Sequence, residues 1–326
     1  MSTASYGNDP FQYARWSSLI MAIVSLIAAA WYLSFETPPS FETSFLDSPQ
    51  TSTPNVESNK IEIRRRKLGD GCYHIFLDVG ANIGLHARFL YEPHSYPEAE
   101  TAKSIFETEF GTTARDNRDF CVFAFEPNPI HRARHEKLKK HFEESGLHYR
   151  HVPVAVSDFD GNMTFFHNDD ANDEEQGFSD HKVAGDKAVE EVVPVIRLAD
   201  WIMNEIYERE LPSKIYGNYS DITPKNAPKV VMKMDIETQE HAVVPDLMYS
   251  GVLCQTVDFA FGEFHYPSVR YGPGADGRGG LTLQEGQDAQ NYVEQLLRAF
   301  HSVQDCVTKE FSQLTEGSYL HDDVPL

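Results

Sequence analysis

The hydrophobic pattern divides the chain into an apolar N-terminal stretch, a polar spacer and a long region of alternating strand and helix patterns. Residues 19–33 are almost wholly apolar and, with their flanks, approach the length of a membrane helix. We therefore predict a tail at 1–17, a transmembrane signal anchor at 18–35 and a flexible Pro-, Ser- and Thr-rich stem at 36–60. Because Arg15 precedes the apolar stretch, we expect a cytosolic N-terminus and place the remainder in a lumen.

The alternative to an anchor is a cleaved signal peptide, because Ala28-x-Ala30 is typical of a processing site. Both interpretations send the chain into the secretory pathway. The predicted localisation is a single-pass, type II membrane protein of the Golgi or another secretory-pathway lumen, held to the membrane by its N-terminal helix. The glycosylation sequons that begin at Asn162 and Asn218 fit a lumenal domain.

The region 61–326 alternates apolar strand patterns with amphipathic helix patterns, which predicts one α/β domain with a doubly wound, mostly parallel sheet. We predict five main strands at 74–79, 120–125, 149–156, 230–234 and 256–264. Helices are predicted at 81–91, 102–110, 129–144, 198–208, 239–249 and 289–300. A hairpin arm is predicted after the third strand, with its turn at 158–161 and its second strand at 162–167.

Composition narrows the class of partner. The chain carries 50 acidic and 28 basic residues, for a net charge of −22, which disfavours electrostatic binding to nucleic acid. Its four cysteines contain no Cys-x-x-Cys pair, so no zinc or thioredoxin-like motif is present and no metal site is assigned. Cys121 lies in an apolar strand pattern and is expected to be a buried small hydrophobic residue, whereas disulfides among the others remain open.

The segment Phe76-Leu-Asp-Val-Gly-Ala-Asn-Ile-Gly84 is a buried strand that runs into a tight turn before a helix, which is typical of a nucleotide-like cofactor site. Gly80 and Gly84 permit unusual dihedrals and close approach of a ligand, and Asp78 is expected to accept hydrogen bonds from it. A dinucleotide fingerprint has glycine where this chain has Asn82. The turn therefore favours a cofactor without phosphates, such as S-adenosylmethionine.

Two further segments are expected to complete the cofactor site. Glu126 ends the second strand, where an acid can bind both ribose hydroxyls of a nucleoside, and Asn128 in the same motif joins the candidate cofactor-binding set. Asp158 follows the third strand and either lines the adenine edge or merely begins a turn.

The candidate catalytic residues follow the last two predicted strands. Lys233 and Asp235 lie on one face of the fourth strand, and a buried lysine there requires a carboxylate partner. Glu237 follows directly, and the fifth strand ends with Glu263 and His265 on one face. One of these groups is expected to take a proton from a substrate hydroxyl, and the residues alone do not decide which.

Four motifs in this order resemble the FkbM family of S-adenosylmethionine-dependent methyltransferases. They are Leu77-Asp-Val-Gly-Ala-Asn-Ile-Gly84, Phe123-Ala-Phe-Glu-Pro-Asn-Pro129, Ala155-Val-Ser-Asp-Phe-Asp-Gly161 and Met232-Lys-Met-Asp-Ile-Glu237. The resemblance implies a class I methyltransferase fold, O-methylation of sugar or natural-product hydroxyls, and cofactor binding by Asp78, Gly80 and Glu126. The chain departs from the family at Thr238, where the Lys-x-Asp-x-Glu-Gly signature ends in glycine.

The function expected from the sequence is S-adenosylmethionine-dependent O-methylation of a glycan, glycoconjugate or small-molecule hydroxyl in the secretory pathway. Two alternatives remain. The chain is otherwise a non-catalytic binding module on a methyltransferase scaffold, which Thr238 favours. The second alternative, which has less support, is a nicotinamide-dependent oxidoreductase, and Asn82 disfavours it.

Overall fold

The computed structural model describes residues 64–111, 116–167, 189–212, 227–237 and 239–263, together with isolated positions near the C-terminus (291, 292, 295, 298, 311–313, 322 and 324–326). All of them belong to one compact unit, Ile63–Leu326. The predicted tail, membrane helix and stem lie outside the described residues. Among those that are described, no helix has both the length and the apolar character needed to cross a bilayer.

A six-stranded parallel sheet forms the centre of the domain. Its strands are β1 (His74–Val79), β2 (Phe120–Phe125), β3 (His148–Val152), β7 (Val230–Met234), β8 (Phe259–Gly262) and β9 (Phe311–Gln313). They lie in the order β3-β2-β1-β7-β8-β9. The direction of winding reverses between β1 and β7, and in such sheets ligands bind at the carboxyl ends of the strands beside that reversal.

Helices cover both faces of this sheet, which confirms the predicted doubly wound α/β arrangement. Phe76 packs on one face with α1 (Leu85–Tyr91), α2 (Glu100–Phe110) and α3 (Arg132–Glu144). Leu77 packs on the other with α4 (Leu198–Glu205), α5 (Glu240–Tyr249) and α6 (Val252–Thr256). Because both faces are buried, the central strands are mostly apolar on both faces rather than alternating, and the buried Asp78 in β1 and Lys233 in β7 are exceptions.

The predicted third strand is in fact two strands in different sheets. Residues His148–Val152 form β3 of the main sheet, whereas Ala155–Ser157 form β4 of a separate three-stranded sheet. Pro153 lies between them and has no N–H to continue the main ladder, so the chain leaves the sheet there.

The predicted hairpin is also wrong in its pairing. β5 (Gly161–His167) follows β4 after the expected turn, but β6 (Val189–Arg197) lies between the two strands. β6 pairs parallel with β4 and antiparallel with β5. β6, which begins more than 20 residues after β5 ends, therefore occupies the position beside β4 that β5 would have in a hairpin. It supplies Val193 and Val195 to the small core of this sheet.

Other element boundaries and the state of Cys121 also differ from the prediction. The first helix begins at Leu85 rather than at 81, because the preceding residues form the turn. The predicted fifth strand begins three residues early, since Thr256 ends α6 and β8 spans only Phe259–Gly262. Cys121 is buried as expected, but it is half of a disulfide with Cys72, and Cys254 is disulfide-bonded as well.

Candidate functional site

The turn after β1 is built from three residues with positive φ. Gly80, Asn82 and Gly84 have φ values of 78°, 47° and 79°. The backbone N–H groups of Gly80 and Ala81 both donate to the carbonyl oxygen of Phe125 on β2, at 3.0 and 2.9 Å. The turn is therefore fastened to the neighbouring strand, and Gly84 ends it as the residue before α1.

Protein packing accounts for both glycines. A Cβ atom at Gly80 would lie 1.7 Å from the carbonyl oxygen of Asp235, at the end of β7. A Cβ atom at Gly84 would lie 2.5 Å from Leu138 Cδ1 and 3.0 Å from the hydroxyl of Tyr149. We expected these glycines to permit close approach of a ligand, whereas neighbouring elements already exclude a side chain at both positions.

Glu126 lies directly after β2 and is 6% exposed. Its Oε2 accepts a hydrogen bond from the N–H of Asn82 at 2.7 Å, and its Oε1 accepts one from the N–H of Asn128 at 2.8 Å. Burial raises the pKa of Glu126 to about 7, although both N–H groups act in the opposite direction. The side chain of Asn128 accepts from the N–H of Ile130 and so begins the next helical turn.

Lys233 connects the ends of β1 and β7. Its ammonium group is 2% exposed, donates to the carbonyl oxygen of Gly80 at 2.6 Å and lies 3.2 Å from Asp235 Oδ2 and 3.9 Å from Asp78 Oδ1. The expected carboxylate partner is therefore present twice. Burial would lower the pKa of Lys233, but the carboxylates of Asp235 and Asp78 outweigh it and raise that pKa.

Asp78 is fully buried within β1. Burial raises its pKa to about 7, against the opposing charge of Lys233. Neither carboxylate oxygen of Asp78 has a hydrogen-bond partner among the described residues, and the same holds for Asn82 Oδ1 and Asn128 Nδ2. These buried polar atoms belong to the first two strand ends, where a polar ligand would satisfy them.

The remaining candidate residues are placed less uniformly. Asp235 follows β7 with a side chain that is 24% exposed, so it is open to solvent as well as bonded to Lys233. Glu237 has a φ of 53°, in a turn where the N–H of Ile236 donates to the buried carboxylate of Glu240. The N–H of Glu263 donates to the carbonyl oxygen of Met234, which places it at the same edge. His265 and Thr238 lie outside the described residues.

Asp158 is exposed, and its described contact is with the neighbouring Ser157, whose hydroxyl lies 3.1 Å from Asp158 Oδ1. The same hydroxyl lies 3.3 Å from Oε1 of Gln239, which precedes α5. Ser157 is buried and is the residue of this segment that contacts the start of α5.

Several polar residues around the site were not found from the sequence. His86 is buried on the first turn of α1, and burial together with Lys233 lowers its pKa to about 3. His135 and Tyr149 are buried behind the glycine turn. A signal for His135 did exist, because it shares the helical face of Leu138 and Phe142 at positions i, i+3 and i+7.

The chain matches no protein-family model, no curated protein and no solved structure. The resemblance to FkbM methyltransferases therefore rests on its four motifs. Within the described ranges, no group of three or more His, Cys, Asp or Glu side chains is placed to hold a metal ion.

Proposed function

We propose that this chain is an S-adenosylmethionine-dependent O-methyltransferase of the FkbM type. The observation that carries the proposal is the convergence of the glycine turn, Glu126, and the pair of Lys233 and Asp235 at the carboxyl ends of β1, β2 and β7. That edge includes the point where winding reverses, which is where open α/β sheets bind ligands.

The residues present fit the cofactor. Glu126 would accept hydrogen bonds from the ribose hydroxyls, since each carboxylate oxygen has a further lone pair beyond its bond to a backbone N–H. Asn82 and Asn128 offer a buried amide oxygen and a buried amide nitrogen beside it. Asp78 offers two buried carboxylate oxygens behind the turn that have no hydrogen-bond partner among the described residues. When bound, S-adenosylmethionine supplies an electrophilic methyl group on a sulfonium centre.

Asp235 is the described carboxylate best placed to take the proton that an acceptor hydroxyl loses. It is partly exposed at the sheet edge and is held by Lys233, so its position is set before a substrate arrives. Glu237, Glu263 and His265 remain candidates for the same role. Methyl transfer needs in-line placement of donor and hydroxyl more than a strong base, so a positioned carboxylate suffices.

The acceptor class and the compartment are part of the same proposal. A disulfide between Cys72 and Cys121 is typical of proteins in oxidising compartments. Asn162, the first residue of a glycosylation sequon, is exposed on β5. Together with the membrane helix and stem expected from the sequence, these features support a Golgi or other secretory-pathway lumen and a glycan or glycoconjugate hydroxyl as the acceptor.

The test is a calorimetric titration of the full-length chain with S-adenosylhomocysteine. We expect micromolar-range binding, about −8 kcal/mol, that is lost in Asp78→Ala and Glu126→Ala. Glu144→Ala is the matched control, because Glu144 is an exposed acid on α3. Absence of binding by a folded wild-type chain would refute the proposal.

A transfer assay then separates the enzyme from its alternative. Labelled cofactor is incubated with a panel of glycans, and we expect label in a hydroxyl acceptor with the wild-type chain and not with Asp235→Asn. Cofactor binding without transfer to any acceptor would favour the non-catalytic binding module. Binding of a nicotinamide dinucleotide instead of S-adenosylhomocysteine would favour the oxidoreductase.

A further inference from the structure

Two stacked histidines lie behind the glycine turn. His135 belongs to α3 and His151 to β3, and their ring centroids are 4.0 Å apart with an angle of 12° between the planes. His135 is fully buried, and neither residue belongs to the proposed cofactor-binding set. His151 is half-buried, and the reaction itself requires neither histidine.

The contacts of His135 determine its tautomer. Its Nε2 lies 2.8 Å from the carbonyl oxygen of Asn82, and its Nδ1 lies 2.6 Å from the hydroxyl of Tyr149. A carbonyl oxygen only accepts, so Nε2 carries the proton and Nδ1 accepts from the tyrosine hydroxyl. Burial, aided by His151, lowers the pKa of His135 well below its usual value, which keeps the ring neutral.

His151 makes the corresponding contact one strand away. Its Nε2 lies 3.0 Å from the carbonyl oxygen of Glu126, so this nitrogen also carries a proton and donates. The two stacked rings therefore each donate one N–H to the backbone of a residue in the proposed cofactor site, His135 to Asn82 and His151 to Glu126.

Both backbone polar groups of Asn82, its N–H and its carbonyl oxygen, therefore form hydrogen bonds to side chains. The N–H of Asn82 donates to Glu126 Oε2 at 2.7 Å, while its carbonyl oxygen accepts from His135. Asn82 has a φ of 47°, a left-handed conformation that is unfavourable for residues with a side chain, although asparagine adopts it more readily than most. Two hydrogen bonds to one strained residue offset that cost and hold the turn in a single conformation.

We propose that His135, supported by the stacked His151, is a positioning residue that holds Asn82 and Glu126 in the cofactor-binding conformation. The inference rests on the proposed function, because it concerns affinity for the same cofactor. His135 would not contact the cofactor. It would act on cofactor affinity through its hydrogen bond to the backbone of the glycine turn.

The test compares two substitutions at one position. In His135→Leu the donor to Asn82 is lost, and we expect affinity for S-adenosylhomocysteine to fall about 3- to 10-fold, the effect of one hydrogen bond. In His135→Gln a side-chain amide can still donate, and we expect affinity within about twofold of wild type. His148→Leu is the matched control, because His148 is an exposed histidine of β3. Calorimetry gives the affinities, and thermal unfolding without ligand shows that each variant is folded.

A structural role alone would lower the unfolding temperature of the leucine and glutamine variants together without separating their affinities. Equal affinities of folded His135→Leu and wild type would overturn the inference and leave the proposed function intact. No binding by folded wild type would overturn both. If His135→Leu does not fold, Tyr149→Phe removes the hydroxyl that orients the imidazole, and unchanged affinity in that variant would also overturn the inference.

The tautomer provides a readout that needs no ligand. Long-range proton–nitrogen correlation spectra of the ¹⁵N-labelled chain should show His135 as a neutral ring with its proton on Nε2. A ring protonated on Nδ1 could not donate from Nε2 to Asn82, and observing it would overturn the inference.

Discussion

Replacing Gly80 with alanine tests whether the junction of β1 and β7 is as closely packed as the structure shows. The added Cβ would lie 1.7 Å from the carbonyl oxygen of Asp235 and 2.8 Å from its carbon. Gly71 is the matched control: it too has a positive φ, 89° against 78° for Gly80, but no heavy atom of the described residues beyond its chain neighbours lies within 4 Å of its added Cβ.

The difference between the two variants isolates the steric effect. Both alanines adopt a left-handed backbone conformation, at about 1–2 kcal/mol each. At Gly80 the ends of β1 and β7 must also separate by more than about 1 Å to reach an ordinary contact. That movement breaks the hydrogen bond from Asp235 N to Val79 O, now 3.0 Å, and the one from Lys233 to Gly80 O. Two buried polar pairs left unsatisfied cost about 1–3 kcal/mol each.

Urea unfolding of the two variants measures this difference. We expect Gly71→Ala to lose about 1–2 kcal/mol and Gly80→Ala at least about 3 kcal/mol, with loss of S-adenosylhomocysteine binding only in the latter. Failure of Gly80→Ala to fold, under conditions where Gly71→Ala folds, agrees with the reasoning. A difference of less than about 1 kcal/mol between the variants would refute it.

Three further predictions concern the buried charges and the disulfide. Lys233→Met should lower the free energy of unfolding by about 3–5 kcal/mol because it leaves the buried Asp78 without a cation. Adding Asp78→Asn should restore part of the lost stability, and additive losses of the two substitutions in urea unfolding would contradict the pairing. Burial raises the pKa of Glu126 from about 4.5 to about 7, so the folded state holds more protons between these values and stability falls as pH rises through them. Glu126→Gln should flatten the pH profile of the unfolding free energy by about 3 kcal/mol, and an unchanged profile would contradict the assignment. Replacing both Cys72 and Cys121 with serine removes a disulfide that joins positions 49 residues apart, and it should lower the free energy of unfolding by about 4 kcal/mol. Equal stability of the oxidised wild type and the double variant would contradict this prediction.

The strands next to the site could be predicted from the sequence because their patterns are local and unambiguous. The bounds of β1, β2 and β7 agree with the predictions at both ends. Each is a predominantly apolar run that is bounded by turn or polar residues, as is typical of a strand buried on both faces, with Asp78 and Lys233 as internal exceptions. In a parallel sheet such strands end at one edge, so the sequence placed Gly80, Glu126 and Lys233 at that edge. The order β2-β1-β7, which makes them neighbours, came from the structure.

Only the tertiary structure decided which distant segments pair. The position of β6 between β4 and β5 depends on a strand beyond residue 188, and no local pattern distinguishes that pairing from a hairpin. The disulfide of Cys121 likewise depends on the parallel pairing of β1 and β2, which brings Cys72 beside it.

The same distinction applies within the candidate site. The sequence by itself determined which residue types lie at the strand ends, because strand period and turn chemistry are properties of neighbouring residues. It did not determine the support behind them. His135 holds Asn82 only because α3 packs over the glycine turn closely enough to exclude a side chain at Gly84. Such contacts join residues about 50 positions apart, and the packing of whole helices against the sheet sets their geometry.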